Sequence, residues 1–265
     1  MEFCTIASGS SGNCTFVGND HVSLLIDAGI SGKRIEEGLN KAGRSGKDLD
    51  GILITHEHID HIRSIGVLAR KYKVPVYATG GTMDYLFHCS SLGRLDRELF
   101  HKVEADRPFS VGGMVIEPFH IMHDAAEPVG YRIEADGKKF AVATDMGCYD
   151  DYIIEHLKGL DSIVIESNHD INMLQVGPYP YPLKIRILGE TGHLSNLHCG
   201  RLLGDILHDE MKHVVLGHLS KENNYEALAF ATVTSEITLG DNPYRGDDFE
   251  ITVASREECS GLYRI

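Results

Sequence analysis

Residues 55–61 read Thr-His-Glu-His-Ile-Asp-His and carry the densest set of metal-ligating side chains in the chain. The run begins where an apolar, strand-like stretch ends, and it stops where a helical pattern starts. In an extended segment alternate side chains point the same way, so His56 and His58 can reach one ion together. Asp60 and His61 fall at the turn into the helix and can aim at a second ion. Imidazole suits zinc, iron or manganese and carboxylate suits harder ions, so the run predicts a metal site.

Further ligands are expected because four neighbouring residues cannot complete two coordination spheres. His123, Asp145 and His218 each follow a short apolar run that is typical of a strand. An aspartate placed between two ions can bridge them, and this is the role predicted for Asp145. The alternative is a polar loop in which histidines merely crowd, and three histidines within residues 56–61 argue against it.

A predicted proton donor lies later in the chain. Cleavage of a phosphodiester expels an alkoxide, which needs a proton. His193 is the predicted donor, because it precedes a helical pattern and Glu166 is available to orient it and keep it protonated. The alternative makes His193 or Ser195 an ordinary helix cap.

Two further segments are predicted to meet an anionic substrate. Within residues 171–188, Lys184 and Arg186 alternate on one side of a piece predicted to be extended, and they could receive phosphates. A solvated strand face is an equally good interpretation of this pair. Residues 8–13 are small and include two glycines, so their backbone N–H groups could converge on an anion, with Ser10 and Asn13 as substrate contacts. An ordinary hairpin turn is the equal alternative.

The remaining pattern predicts the elements that position these side chains. Short runs rich in Val and Ile predict strands at residues 3–7, 22–26, 51–55, 74–78, 113–118, 130–135, 139–144, 162–166, 213–216 and 250–254. Helical spacing predicts helices at residues 31–42, 62–72, 150–157, 193–207 and 223–237. This order predicts a layered α/β or α+β fold with helices outside packed sheets. Because no linker or low-complexity tract interrupts it, a single domain over residues 1–265 is expected.

Composition limits the partners and the compartment. The net charge of −14 means that the overall field does not attract DNA or RNA, so a nucleic-acid partner must be held by a local basic strip and by metals. None of the six cysteines forms a C-x-x-C pair. No stretch approaches the roughly 18 apolar residues of a membrane helix. The N-terminus lacks the pattern of a signal peptide, so we expect a cytoplasmic protein without membrane contact.

The order H-x-H-x-D-H, then a His, an Asp and a late His, resembles the metallo-β-lactamase superfamily. The resemblance implies a four-layer αββα sandwich with two divalent ions, zinc or manganese, with iron as a third option. His123 fits the family pattern better than its neighbour His120. True β-lactamases lack the final histidine of the first motif. The ligand sets that the resemblance implies are His56, His58 and His123 for one metal, Asp60, His61 and His218 for the other, and Asp145 between them.

Longer stretches resemble the YycJ/WalJ group of that superfamily, namely residues 7–14, 166–170, 192–196 and 218–224. The pairing of Glu166 with His193 is also similar to nucleases that mature tRNA ends. The resemblance implies a DNA exonuclease acting in the 5′→3′ direction. It places Asn168 and Ser195 among the substrate-binding residues, beside the loop and basic residues already named.

The leading hypothesis is therefore a phosphodiesterase. A metal-bridging hydroxide would attack phosphorus, Asp60 would hold the hydroxide's proton, and His193 would protonate the leaving oxygen. The alternative is a small ester or thioester hydrolase of the glyoxalase II or lactonase kind, which uses the same ligands but needs less acid help. A non-catalytic member of the fold is disfavoured because every expected ligand is present. The native metal and the oligomeric state stay open at this point.

Overall fold

Fourteen β-strands and nine α-helices are formed within residues 1–265, all of which the computed structural model describes. In chain order the strands are β1 Glu2–Ala7, β2 Cys14–Gly18, β3 Ser23–Ile26, β4 Gly51–Leu53, β5 Val76–Thr79, β6 Phe100–Val103, β7 Phe109–Val111, β8 Met114–His120, β9 Val129–Ala135, β10 Lys138–Ala143, β11 Ser162–Glu166, β12 His213–Gly217, β13 Glu250–Val253 and β14 Tyr263–Arg264. The helices are α1 Gly32–Lys41, α2 Ile59–Ile62, α3 Ile65–Tyr72, α4 Gly80–His88, α5 Asp151–Leu157, α6 Ile171–Val176, α7 Tyr181–Leu188, α8 Asn196–Ile206 and α9 Glu226–Leu239. None of these helices has the length and apolar character needed to span a membrane.

The chain divides into two units. The first unit comprises Met1–His120, Ala125–Gly137 and Ser255–Ile265. The second unit comprises Ile121–Asp124 and Lys138–Ala254. The expectation of a single domain over residues 1–265 remains a prediction.

The first unit is built on a sheet with the strand order β14-β1-β2-β3-β4-β5-β6. Neighbouring strands are antiparallel from β14 to β3 and parallel from β3 to β6. Helix α1 adds Ile35 and Leu39 to its core, and these residues share one helix face because they are four positions apart. The same unit contains β7, β8 and β9, which pair antiparallel.

The second unit is built on β10, β11, β12 and β13, which pair parallel in that order. Strand β11 is buried along its whole length, as expected for a parallel strand covered on both faces. The carboxyl ends of parallel strands meet at one edge of a sheet. Asp145 follows β10, Glu166 ends β11 and His218 follows β12, so the topology brings these three residues to the same edge.

The predicted elements are largely confirmed. All ten predicted strands are present, with ends within two residues of the prediction, and all five predicted helices are present within three. Four strands were missed (β2, β6, β7 and β14), as were helices α2, α4, α6 and α7. Most of the missed elements are short, so they show too few residues for a period to be visible.

The prediction that Lys184 and Arg186 lie on an extended piece is wrong, because residues Tyr181–Leu188 form α7. Three prolines, at positions 178, 180 and 182, make this part of the sequence look unfavourable for a helix. Position 178 precedes the helix, position 180 is its N-cap, and position 182 lies in its first turn, where a missing N–H removes no helical hydrogen bond. Residues two apart do not share a helix face, so Lys184 and Arg186 are not paired on one side as expected.

Candidate metal and catalytic site

The histidine-rich run of the first unit lies after β4 and in the short helix α2. His58 is the N-cap of α2, and Asp60 and His61 belong to the helix. His56 and His61 are fully buried, and their ring centroids lie 4.1 Å apart. The rings of His56 and His58 lie 4.6 Å apart, and Asp60 Oδ2 is 3.5 Å from His61 Nε2. The four predicted ligands of this unit therefore converge.

A buried carboxylate that the sequence analysis missed orients His61. Asp27 follows β3, and its Oδ2 lies 2.7 Å from His61 Nδ1. The backbone N–H and the hydroxyl of Thr55 also donate to Asp27, each at 2.9 Å. A metal-binding histidine usually gives its other ring N–H to such an acceptor. This contact therefore leaves Nε2 as the atom through which His61 is predicted to bind metal. The sequence did carry one signal for Asp27, namely its position, because it follows an apolar strand as Asp145 does.

The loop of residues 8–13 joins β1 to β2, which pair antiparallel. It is therefore a hairpin turn, which was one of the two interpretations of this segment. The N–H of Gly9 donates to Asn13 Oδ1 at 2.9 Å, and the N–H of Asn13 donates to the carbonyl of Asp60 at 2.8 Å. Asn13 is buried with Nδ2 at 3.0 Å from His61 Nε2, whereas Ser10 is exposed. The loop thus supports the histidine run, and anion binding by it stays a prediction.

In the second unit one glutamate joins two histidines. Glu166 is fully buried, and its Oε1 lies 2.8 Å from Nδ1 of both His193 and His218. Asp145 Oδ1 lies 3.5 Å from His193 Nδ1 and 3.3 Å from His218 Nδ1. His123 Nε2 lies 3.9 Å from Asp145 Oδ1, and its ring centroid is 5.3 Å from that of His193. The structure thus brings together the predicted acid, its orienting glutamate and the three predicted ligands of this unit. We call these five residues the Glu166 cluster.

The Glu166 cluster raises the pKa of His193. Burial on its own lowers the pKa of His193, but the charge of Glu166 and its hydrogen bond outweigh burial, so this pKa is raised. Burial would likewise raise the pKa of Glu166, yet the charge of His193 and the hydrogen bonds from His193 and His218 hold it at about 2. Both shifts favour a carboxylate beside an imidazolium, which is the state that a proton donor requires.

Three asparagines hold the loops that carry this cluster. Asn168 Nδ2 donates to the carbonyl of His218 at 2.8 Å. Asn224 Nδ2 donates to the carbonyls of Ser167 and Asn168, and Asn196 Oδ1 accepts from Ser167 Oγ at 2.7 Å. Asn168, expected to contact substrate, is buried and positions a histidine, and a substrate contact by it remains a prediction.

Three residues of these two regions share an unusual backbone. Asp27, Asp145 and His218 have φ of 62°, 62° and 54°. The left-handed region is uncommon for residues other than glycine, and it persists where the surroundings fix it. Each of the three follows a strand end. Lys73, Asp106 and Asp136 share this backbone elsewhere, so half of the six such residues carry or orient predicted ligands.

The basic side chains of α7 are engaged within the second unit. Lys184 Nζ donates to the carbonyls of Gln175 and Gly177 at 2.7 Å each. Arg186 forms a two-pronged ion pair with Asp124, the neighbour of His123, at 2.5 Å and 3.0 Å. These contacts hold α6 and α7 in place, and phosphate binding by either residue stays a prediction.

The structure distinguishes the two residues, His193 and Ser195, that could have served as an ordinary helix cap. Ser195 is the N-cap of α8, and its Oγ accepts from the N–H of His198 at 3.2 Å. His193 lies two residues earlier and belongs to the Glu166 cluster instead. His120 is exposed at the end of β8, whereas His123 is buried within the cluster, in keeping with the choice of His123.

The donor set fits a divalent metal. In the second unit Asp145, Glu166, His193 and His218 place potential ligand atoms within 4.8 Å of one another. The first unit supplies three imidazoles and a carboxylate from residues 56–61. Buried imidazole and carboxylate groups are the ligands that zinc, manganese and iron take in proteins.

Comparison with known proteins finds chains of similar sequence and of similar fold. The model of the beta-lactamase superfamily domain matches residues 23–219. Exodeoxyribonuclease YycJ of Bacillus anthracis is 42% identical and covers 88% of each chain. Exodeoxyribonuclease WalJ of Streptococcus pneumoniae serotype 2 is 39% identical over 100% of this chain and 98% of its own. Among solved structures, the metallo-β-lactamase fold protein YhfI from Bacillus subtilis has a TM-score of 0.71 at 16% identity and covers 99% of each chain. The likeness confirms the predicted α/β metallo-β-lactamase fold class, with two mixed sheets and helices.

Proposed function

Because the chain belongs to the metallo-β-lactamase superfamily, and within it to the family of the exodeoxyribonucleases YycJ and WalJ, we propose that it is a metal-dependent 5′→3′ DNA exonuclease. The chain is a hydrolase of that superfamily. The observation that carries the proposal is the contact of 2.8 Å between Glu166 Oε1 and His193 Nδ1, which supplies a protonated acid beside predicted ligands. We propose the cytoplasm as its cellular site.

We propose two divalent ions, zinc or manganese, with iron as a third option. Their ligands are those proposed from the sequence, namely His56, His58, Asp60, His61, His123, Asp145 and His218. When bound, the ions supply an activated water for attack at phosphorus and neutralise charge on the phosphate oxygens. They also offset about four of the negative charges of an acidic chain, which lowers the barrier to meeting DNA.

The side chains of the protein have three tasks in this proposal. Asp60 holds the proton of the attacking water. His193 gives a proton to the oxygen that leaves phosphorus, and Glu166 orients His193 and keeps it charged. Because Glu166 Oε1 also contacts His218 Nδ1 at 2.8 Å, one carboxylate aligns the acid with a proposed metal ligand.

The proposed acid, His193, distinguishes an exonuclease from a small ester or thioester hydrolase. A sugar alkoxide is a poor leaving group and needs protonation, whereas a thiolate leaves without help. A charged histidine held by a buried glutamate therefore suits phosphodiester cleavage, and thioester cleavage has less need of it. Ser10, which is exposed within the supporting loop, is retained as a proposed substrate contact.

The test is hydrolysis of duplex DNA labelled at either the 5′ or the 3′ end, by purified protein with manganese or zinc. A 5′→3′ exonuclease releases the 5′ label at once as a short product and shortens the 3′-labelled strand progressively. The His61→Ala protein serves as the matched control and should leave both labels in full-length strands. Release of thiol from a simple thioester without any DNA cleavage would overturn the proposal.

A further inference from the structure

Two cysteines that lie 255 residues apart in the sequence meet in the first unit. Cys4 lies in β1 and Cys259 in the segment Ser255–Ile265, and their sulfurs are 3.8 Å apart. All six cysteines of the chain are free thiols. We propose that Cys4 and Cys259 form a redox modification site, where a low-molecular-weight disulfide converts the two thiols into an intrachain disulfide. The proposal is independent of the proposed nuclease function.

The backbone around the two cysteines already runs side by side. The N–H of Ser260 donates to the carbonyl of Thr5 at 2.9 Å, and the N–H of Thr5 donates to Ser260 Oγ at 3.0 Å. Strand β14 then pairs with β1, where the rings of Phe3 and Tyr263 stack with centroids 4.8 Å apart. The two sulfurs are 3.8 Å apart, and these contacts hold their backbones together, so rotation of the two side chains can close the distance to the roughly 2.05 Å of a disulfide bond.

The two thiols differ in a way that assigns their roles. Cys4 is buried, with 1% of its surface exposed, whereas Cys259 is half-buried. The hydrogen bond with Cys4 and the charge of Lys41 outweigh burial and lower the pKa of Cys259 to about 7. The same hydrogen bond, together with burial, raises the pKa of Cys4. Because the thiolate is the reactive form, Cys259 is the attacking residue and Cys4 the resolving one.

A surface cleft gives a small reagent access to the attacking sulfur. The cleft has a volume of about 350 Å³ and is lined by Cys259, Arg34, Lys41 and Glu257 among others. A small disulfide such as oxidised glutathione, in which two tripeptides are joined, can approach Cys259 through this cleft, while Cys4 is buried.

Oxidation proceeds in two exchange steps. The thiolate of Cys259 attacks one sulfur of oxidised glutathione, which forms a mixed disulfide and expels a glutathione thiolate that takes up the proton lost by Cys259. The thiolate of Cys4 then attacks Cys259 Sγ, breaks the mixed disulfide and expels the second glutathione thiolate, which takes up the proton of Cys4. The protein loses two electrons and two protons, and one glutathione disulfide becomes two thiols.

The product would tie the first strand to the end of the chain. The cross-link closes a loop of nearly the whole chain, and a disulfide stabilises mainly by restricting the unfolded chain. The oxidised protein should therefore unfold at a higher temperature, with a midpoint raised by roughly 5–10 °C.

The experiment treats the full-length protein with oxidised glutathione, alkylates the remaining thiols and maps the peptides without reduction. We expect a single cross-link between Cys4 and Cys259, four alkylated cysteines, and a raised unfolding midpoint that dithiothreitol reverses. Cys4→Ala should stop at a glutathione adduct on Cys259, and Cys259→Ser should give neither adduct nor cross-link. Cys89→Ser is the matched control and should form the cross-link as the parent does.

Three results would overturn the proposal. These are alkylation of all six cysteines after oxidation, a cross-link that pairs Cys4 with Cys14, and loss of two thiols in Cys259→Ser. If Cys4→Ala does not fold, Cys259→Ser and the parent protein decide the question alone. DNA cleavage is not a readout of this experiment, so its outcome does not depend on the proposed function.

Discussion

The histidine run of the first unit and the Glu166 cluster of the second place imidazoles around a buried carboxylate in two different ways. Residues 56–61 supply four predicted ligands from one short segment, and Asp27 contacts only one of them, His61. In the Glu166 cluster the histidines come from three separate loops, and Glu166 contacts two of them through a single oxygen. The first arrangement is encoded by local spacing, whereas the second exists only once parallel strands bring their ends to one edge.

The two carboxylates are therefore expected to have different effects. Asp27 touches a proposed ligand and nothing that moves a proton, so its contribution belongs to metal affinity. Glu166 touches a proposed ligand and the proposed acid together, so its contribution extends to turnover. Variants in each region can separate metal binding from proton transfer.

The largest effect is expected in the histidine run itself. Asp60→Ala removes a proposed ligand and the group that holds the proton of the attacking water. Metal content should fall, and turnover should fall by more than the roughly 10–100-fold that the loss of an outer-shell partner causes. The measurement is metal stoichiometry by elemental analysis beside exonuclease rate. Asp20→Ala, in an exposed turn, is the control, and full metal content in Asp60→Ala would remove this residue from the ligand set.

The Glu166 cluster should respond differently when its acid is removed. His193→Ala should retain its metal and lose about 10²–10⁴-fold in kcat, because the leaving oxygen then lacks a proton donor. Hydrolysis of a nitrophenyl phosphodiester expels nitrophenolate, which is a stable anion that needs no proton. The same variant should therefore lose far less activity on that substrate. Both rates and the metal content are compared with those of His21→Ala, which alters an exposed turn. An equal loss on both substrates would show that His193 acts on structure rather than on proton transfer.

A smaller effect is expected when the orienting carboxylate of the first region is neutralised. Asp27→Asn keeps the shape and tolerates the φ of 62°, but it loses the charge beside His61. Metal affinity should fall by about 10–100-fold, while kcat at saturating metal stays within a few-fold of the parent. Competition with a chelator measures the affinity. If metal affinity is unchanged and kcat falls, Asp27 acts on turnover as Glu166 does, and the two regions do not differ in this respect.

These regions also show what the sequence could predict. The convergence of residues 56–61 was predictable because they are neighbours, and that of His123, Asp145 and His218 because their order after the first motif resembles the superfamily pattern. Asp27 was missed although it also follows a strand, since that pattern does not include it. The helices over residues 171–188 were missed because prolines at a helix start read as breakers. The shared oxygen of Glu166 and the left-handed backbone of Asp145 depend on contacts far apart in the chain, which no local pattern contains.

The smallest effect is expected at Ser195, which lies between the acid and helix α8. If Ser195 serves as the N-cap, Ser195→Ala should lower the free energy of unfolding by about 1 kcal/mol and leave KM for DNA unchanged. Urea unfolding and steady-state kinetics measure the two quantities. Ser31→Ala is the matched control, because Ser31 caps α1 by accepting from the N–H of Arg34 at 3.4 Å. A raised KM at Ser195→Ala with unchanged stability would instead make this serine a substrate contact, and the loop before α8 would then hold DNA as well as the acid.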